Sequence, residues 1–298
     1  MLRLHLEQGQ GFGNQLWNIF SIQGIAERTG HEFQITGLQN LKCSEFSNLQ
    51  VESGPQSPMF NDTNFHSLLE PQKSHPVTGE NITNHWRLPE TSVFESYQIT
   101  GLLQSHEHLP NLEIISEQLD CSAPIFDGCT ISFRGGEYAG LPGVFLPKKY
   151  YFDSIDQMRM RFGGDLKFRV VTDDAKRARK LFPDFEVLSS GGVKRVPGVP
   201  YFHPKSRKVW SDFCHVQSSR YQILSNSSFS WWATYSSKHS LFAIAPKYWA
   251  AFNTSNGYWS LGSSLTPGWH WMGKDGVLDD YSSCEEHLAD FRLSNDWA

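Results

Sequence analysis

The strongest constraint on this chain is an alternation between short apolar runs at strand spacing and longer segments at helical spacing. Residues 129–133, 168–171, 185–188, 221–224 and 241–245 read as strands. Residues 147–161, 175–181, 209–216 and 229–237 read as the helices between or after them. An earlier block opens the chain in the same way. Leu2, Leu4 and Leu6 alternate with polar residues, and Gly9, Gly11 and Gly13 interrupt them. Leu16, Ile19, Phe20, Gln23 and Ala26 then recur at helical spacing until Gly30, and 33–36 reads as a second strand. Strands and helices in turn predict an α/β protein whose parallel sheets carry helices on both faces. Two such blocks predict two Rossmann-like domains, residues 1–124 and 125–298, joined near 121–127. Between 37 and 91 the signal fades into Ser, Asn, Pro, Gln and His, which predicts long loops and part of a substrate rim. Residues 97–103 read as a strand and 110–119 as a short helix.

Composition removes several functions. Of 298 residues, 39% are hydrophobic and 19% charged, enough apolar material for a real core. Lys and Arg number 26 against 31 Asp and Glu, a net charge of -5, which argues against a nucleic-acid partner. The basic cluster Lys176-Arg177-Ala178-Arg179-Lys180 reads as a solvated helix face. No apolar stretch approaches the ~20 residues of a membrane span, and the first eight residues do not resemble a signal peptide. The prediction is a cytoplasmic protein. Its five cysteines form no Cys-x-x-Cys pair, so no metal site or disulfide framework is expected. Cys121 and Cys129 are read as reduced, buried thiols. The Asn-x-Ser/Thr triplets at Asn61, Asn81, Asn226 and Asn253 read as chance matches.

Ligands of open α/β sheets bind beyond the carboxyl ends of the strands. Four polar segments fall there. Gly9 to Gln15 forms a glycine-rich turn, in which Asn14 is expected to cap or enter the next helix. It lacks a third dinucleotide-loop glycine and a Walker-type lysine. Arg134-Gly135-Gly136-Glu137-Tyr138 offers a guanidinium suited to a phosphate, with Glu137 its expected ion-pair partner. Thr172-Asp173-Asp174 offers one carboxylate for a ribose or base and one for helix capping. Asn226-Ser227-Ser228-Phe229 opens a helix, whose free N–H groups and positive end suit a pyrophosphate.

Together these segments resemble the α-1,2-fucosyltransferase family and the wider GDP-fucose transferase group. Gly11-Phe12-Gly13-Asn14-Gln15-Leu16 is similar to the family's Gly-Leu-Gly-Asn-Gln-Leu/Met opening. Residues 131–138 resemble its His-x-Arg-Arg-Gly-Asp-Tyr stretch, 226–233 its Asn-Ser-Ser/Thr-Phe/Tyr-Ser-Trp-Trp-Ala segment, and 245–249 its Gly/Ala-Pro-Lys-x-Trp ending. The resemblance implies a GT-B fold and an inverting, metal-independent transfer from GDP-L-fucose to a galactose-containing glycan, with no cofactor. It assigns Arg134 to the donor diphosphate, Ser227, Ser228 and Phe229 to the phosphates, and Asp173 to the guanosine. Asn14, with Gly11 and Gly13 in its loop, is placed beside the phosphate and acceptor. Ser132 stands where the family has a His that approaches the guanine, and Gly135 where it has a second Arg. These departures keep open a different nucleotide-sugar donor. The tryptophans at 249, 259, 269 and 271 keep open a glycan-binding protein without turnover, although core packing explains them better. No general base stands out. Glu137 is a candidate, while His5, His31, His106 and His108 read as surface or satisfied histidines. A peripheral place at a membrane where glycans are assembled is compatible with this reading.

Overall fold

Leu2, Leu4 and Leu6 are all buried, so the alternation at the start of the chain does build a strand with one face inward. The computed structural model describes residues 1–43, 73–74, 81–82, 97–99, 103–104, 106–189, 206–255, 257, 259 and 265–294. Most of the loop region expected over 37–91 lies outside them. The chain divides into two units, Met1–Leu119 and Asp120–Ala298.

In the first unit, β1 (Leu2–His5) is followed by α1 (Phe12–Thr29) and β2 (Phe33–Thr36). A short antiparallel pair, β3 (Lys73–Ser74) and β4 (Asn81–Ile82), precedes β5 (Tyr97–Ile99) and α2 (Leu112–Gln118). The sheet runs β2-β1-β5 and is parallel throughout. Helix α1 ends at Gly30, whose φ of 68° lies in the left-handed region that glycine enters without strain. Polar residues buried along α1 are bonded into the unit: Gln15 Nε2 donates to Asn40 O at 2.6 Å, and Ser21 Oγ to Leu103 O at 3.0 Å.

The second unit begins with β6 (Phe126–Phe133), α3 (Lys148–Phe162), β7 (Phe168–Thr172), α4 (Ala175–Leu181) and β8 (Glu186–Leu188). It continues with α5 (Ser206–Gln217), β9 (Ser219–Ile223), α6 (Ser228–Tyr235) and β10 (Phe242–Pro246). Three elements that periodicity does not announce close it: β11 (His270–Met272), β12 (Leu278–Asp279) and α7 (Tyr281–Ser294). The sheet order is β12-β11-β10-β9-β6-β7-β8. All pairings are parallel except β11 with β12. Renumbered from β6, the six parallel strands lie in the order 3-2-1-4-5-6, that of doubly wound nucleotide-binding sheets.

One face of this sheet packs on α3 and α4. Ile131, Phe133 and Val170 meet Tyr150, Tyr151, Ile155, Met158 and Phe182 there. Full burial of each such side chain contributes about 1.5–3 kcal/mol. The hydroxyl of Tyr150 donates to Leu224 O at 2.6 Å, fixing α3 against the carboxyl end of β9. Elsewhere in the unit, Trp231, Trp232, Trp259, Trp269 and Trp271 form a contiguous aromatic cluster, all at most 8% exposed. These tryptophans and Trp249 are therefore core, not a sugar-stacking surface.

The thiol expectation is corrected at Cys121. Its partner is Cys214 on α5, in a disulfide with a Cα separation of 5.4 Å and a sequence separation of 93. Local hydrogen bonds explain the approach. Cys121 N donates to Gln217 Oε1 at 3.2 Å, and Phe126 N to Ser218 O at 2.9 Å, so the lead into β6 runs along the end of α5. Cys43, Cys129 and Cys284 lie outside this disulfide and are buried.

Candidate functional site

In a 3-2-1-4-5-6 sheet the strand order reverses between the first and fourth strands, and the crevice beyond their carboxyl ends is where ligands bind. Here those strands are β6 and β9. The segment after β6 carries Arg134, and the segment after β9 carries Asn226, Ser227 and Ser228. Two of the polar segments picked out in the sequence thus flank one crevice.

Arg134 is fixed from two sides. Its Nη1 pairs with Asp173 Oδ2 at 2.7 Å, and its guanidinium lies 5.4 Å from the centre of the Tyr138 ring. Burial raises the Tyr138 hydroxyl's pKa, and the nearby Arg134 charge partly offsets that. The same hydroxyl donates to Asn226 O at 3.5 Å, linking the two segments. Arg134 Nε is buried with no partner among the described residues.

Asp173 braces the loop that carries Arg134. Its Oδ1 accepts from Gly135 N at 2.8 Å and Gly136 N at 3.0 Å while Oδ2 holds Arg134. Both of its oxygens therefore shape the loop. The glycines permit this by close approach. A Cβ at residue 135 would lie 2.8 Å from Asp174 Cβ, and one at 136 would lie 2.8 Å from Asp173 Oδ2. A larger residue at 135, as the resembling family has, does not fit this packing. The expected pairing of Arg134 with Glu137 is also corrected, because the ion pair goes to Asp173. Glu137 opens a short 3-10 turn and is exposed. Asp174 takes the capping role, accepting from Arg177 N at 3.0 Å.

Across the crevice, Ser227 is the N-cap of α6, but its side chain makes no capping hydrogen bond. Such a helix end presents N–H groups and a partial positive charge. Asn226 is 3% exposed; its Nδ2 donates to Val144 O at 2.7 Å, and its Oδ1 has no partner among the described residues. Ser132, the penultimate residue of β6, is 6% exposed, and its Oγ has no partner either. Phe229 is half-buried and packs edge-on against Phe213 of α5, 5.7 Å between ring centres.

Sequence reasoning missed Asn253. Its Nδ2 donates to Pro142 O, Gly143 O and Phe145 O at 2.9, 3.3 and 2.8 Å, tying down the 141–147 segment that follows the Arg134 loop. The signal lay in the triplet dismissed as a chance glycosylation match. The engaged amides of Asn226 and Asn253 fit that dismissal. Lys247, in the 245–249 motif, pairs with Asp279 at 2.6 Å. Burial opposes its charge, but the hydrogen bond and charge of Asp279 outweigh it, and its pKa is raised.

The glycine loop belongs to the first unit. Gly11 is the N-cap of α1 and Gly13 is buried in its first turn. Asn14 therefore enters the helix rather than capping it, and its Oδ1 accepts from Gln104 Nε2 at 3.1 Å. His5 and His31 bond to Thr36 and Thr29 hydroxyls at 2.9 and 2.8 Å. Among the described residues no helix is long and apolar enough to cross a membrane.

The second unit is thus a doubly wound α/β sheet with an arginine and a helix N-terminus at its switch point, the features of a site for a phosphorylated ligand. No protein-family model matches the chain. The chain is similar to an α-1,2-colitosyltransferase of Escherichia coli, 27% identical over 146 residues, covering 47% of this chain and 47% of that protein. The match spans about half the length of that relative.

Proposed function

We propose that the protein is an inverting, metal-independent glycosyltransferase of GT-B architecture, moving L-fucose from GDP-L-fucose to a hydroxyl of a galactose-containing glycan in α-1,2 linkage. The observation that carries this reading is Arg134, held by Asp173 and Tyr138 at the switch point, with Nε unpartnered. In such a transfer the acceptor oxygen bonds to the anomeric carbon as the bond to the diphosphate breaks. Negative charge grows on the leaving diphosphate. Arg134 and the first N–H groups of α6 offset that charge in advance, without reorganising. Ser227 and Ser228 lie at that helix end beside the phosphates. The acceptor proton goes to a base, for which exposed Glu137 is the candidate.

A second reading keeps the reaction and changes the donor. The relative's name specifies colitose rather than fucose, and Gly135 replaces the second arginine of the resembling family. Calorimetric titration with GDP, GDP-fucose, UDP and ADP, in EDTA, separates the readings. The first expects micromolar GDP binding that survives EDTA and weakens about 10- to 100-fold in Arg134→Ala. Preference for UDP or ADP moves the answer to another donor. No binding of any nucleotide sinks both and leaves a glycan-binding protein without turnover.

A further inference from the structure

Three buried polar atoms around the switch point have no partner among the described residues: Ser132 Oγ, Arg134 Nε and Asn226 Oδ1. Buried polar groups are nearly always bonded, because leaving one unpaired destabilises the fold. Three gathered at one sheet edge mark a place shaped for something other than folding. Their kinds differ. Arg134 Nε–H only donates and suits a phosphate oxygen. Asn226 Oδ1 only accepts, since the amide nitrogen is committed to Val144 O. That bond also fixes which end of the amide is which. Ser132 Oγ can donate or accept.

A bare anion satisfies Arg134 but is repelled by Asn226 Oδ1. A ligand carrying a neutral hydrogen-bond donor close to its phosphate satisfies both. Resting on the nucleotide-sugar reading above, we propose that Ser132 and Asn226 form a subsite for that neutral donor group, a hydroxyl or an amine, adjoining the phosphate held by Arg134. Ser132 gives selectivity between nucleotides, while Arg134 supplies charge.

The test compares wild-type protein with Ser132→Ala in melting temperature and in affinity for four ligands: GDP, 2′-deoxy-GDP, inosine diphosphate and GDP-fucose. Removing an unpaired buried hydroxyl should leave the melting temperature unchanged or raise it. Affinity for the ligand that reaches the subsite should fall about 5- to 10-fold. If wild type already binds 2′-deoxy-GDP more weakly than GDP, and Ser132→Ala removes that difference, the donor group is on the ribose. The same pattern with inosine diphosphate places it on the base amine. A loss for GDP-fucose but not GDP places it on the sugar. Equal binding of all four ligands by both proteins overturns the subsite and leaves the transferase reading standing, as does a lowered melting temperature with unchanged affinities. No nucleotide binding by wild type overturns both.

Discussion

One oxygen of Asp173 receives two consecutive backbone N–H groups, while the other holds the Arg134 guanidinium. This makes Asp173 a positioning residue. Asp173→Asn keeps an acceptor for the glycine N–H groups but sets an amide against Arg134. GDP affinity should fall about tenfold with little change in melting temperature, because the pair is partly exposed and contributes little to stability. Calorimetry and thermal denaturation check the two halves. The identities of Arg134 and Asp173 were legible in sequence because both follow strands that end at the crevice. Their partnership was not. Glu137 is nearer in sequence, yet the parallel pairing of β6 with β7 brings Asp173 across instead. Asn253 was illegible for a similar reason, since its three carbonyl partners are more than a hundred residues away.

At the scale of elements, the 141–147 segment forms a turn, Val144 N and Phe145 N both donating to Leu141 O, and the amides of Asn226 and Asn253 hold that turn in place. Asn253→Ala should cost about 2–3 kcal/mol and speed hydrogen exchange over 141–147 before it affects β6 or α3. Helices with a clear apolar face were placed closely by sequence. Residues 175–181 coincide with α4, and 147–161 lie one residue from α3. Helix α7 was missed, although Asp280 caps it by accepting from Ser283 N at 2.8 Å, and Cys284 and Leu288 recur at helical spacing. A capping residue is a weaker signal than a periodic face, and α7 has few buried positions to announce it. Strands β11 and β12, at three and two residues, are too short to show a period.

Across the whole molecule, three histidines among the described residues are held toward the neutral form. Burial, then the charges of Arg28 and His106, lowers His108 to about 4. Burial, then Arg169, lowers His215, and burial, then Arg161, lowers His270. Each depressed value means that the folded protein binds the proton less readily than the unfolded chain. The stability they contribute is complete above about pH 6.5, and the His108 share is lost as pH falls toward 4. Thermal melts between pH 7 and pH 4 should show this loss, and His108→Asn should flatten the profile. At the amino end of the second sheet, Arg169 donates to Thr130 Oγ1 at 2.9 Å, to Ser218 and Ser219 hydroxyls, and to His215 O. Its pKa is pushed down to about 10 by burial. That network ties β6, β7 and β9 to the end of α5, the helix that also carries Cys214.

The Cys121–Cys214 bond gives the folded chain a memory of its surroundings. In the chain-entropy account, closing a loop of this length contributes about 4–5 kcal/mol. Reductant or Cys214→Ser should therefore lower the melting temperature by about 10 °C. The bond can also be counted. Of five cysteines, three lie outside the disulfide. Protein matured in an oxidising compartment and denatured without reductant should titrate three thiols, whereas protein matured in a reducing cytosol should titrate five. Thiol titration of natively expressed material thus reports where the chain is made and tests the cytoplasmic expectation directly.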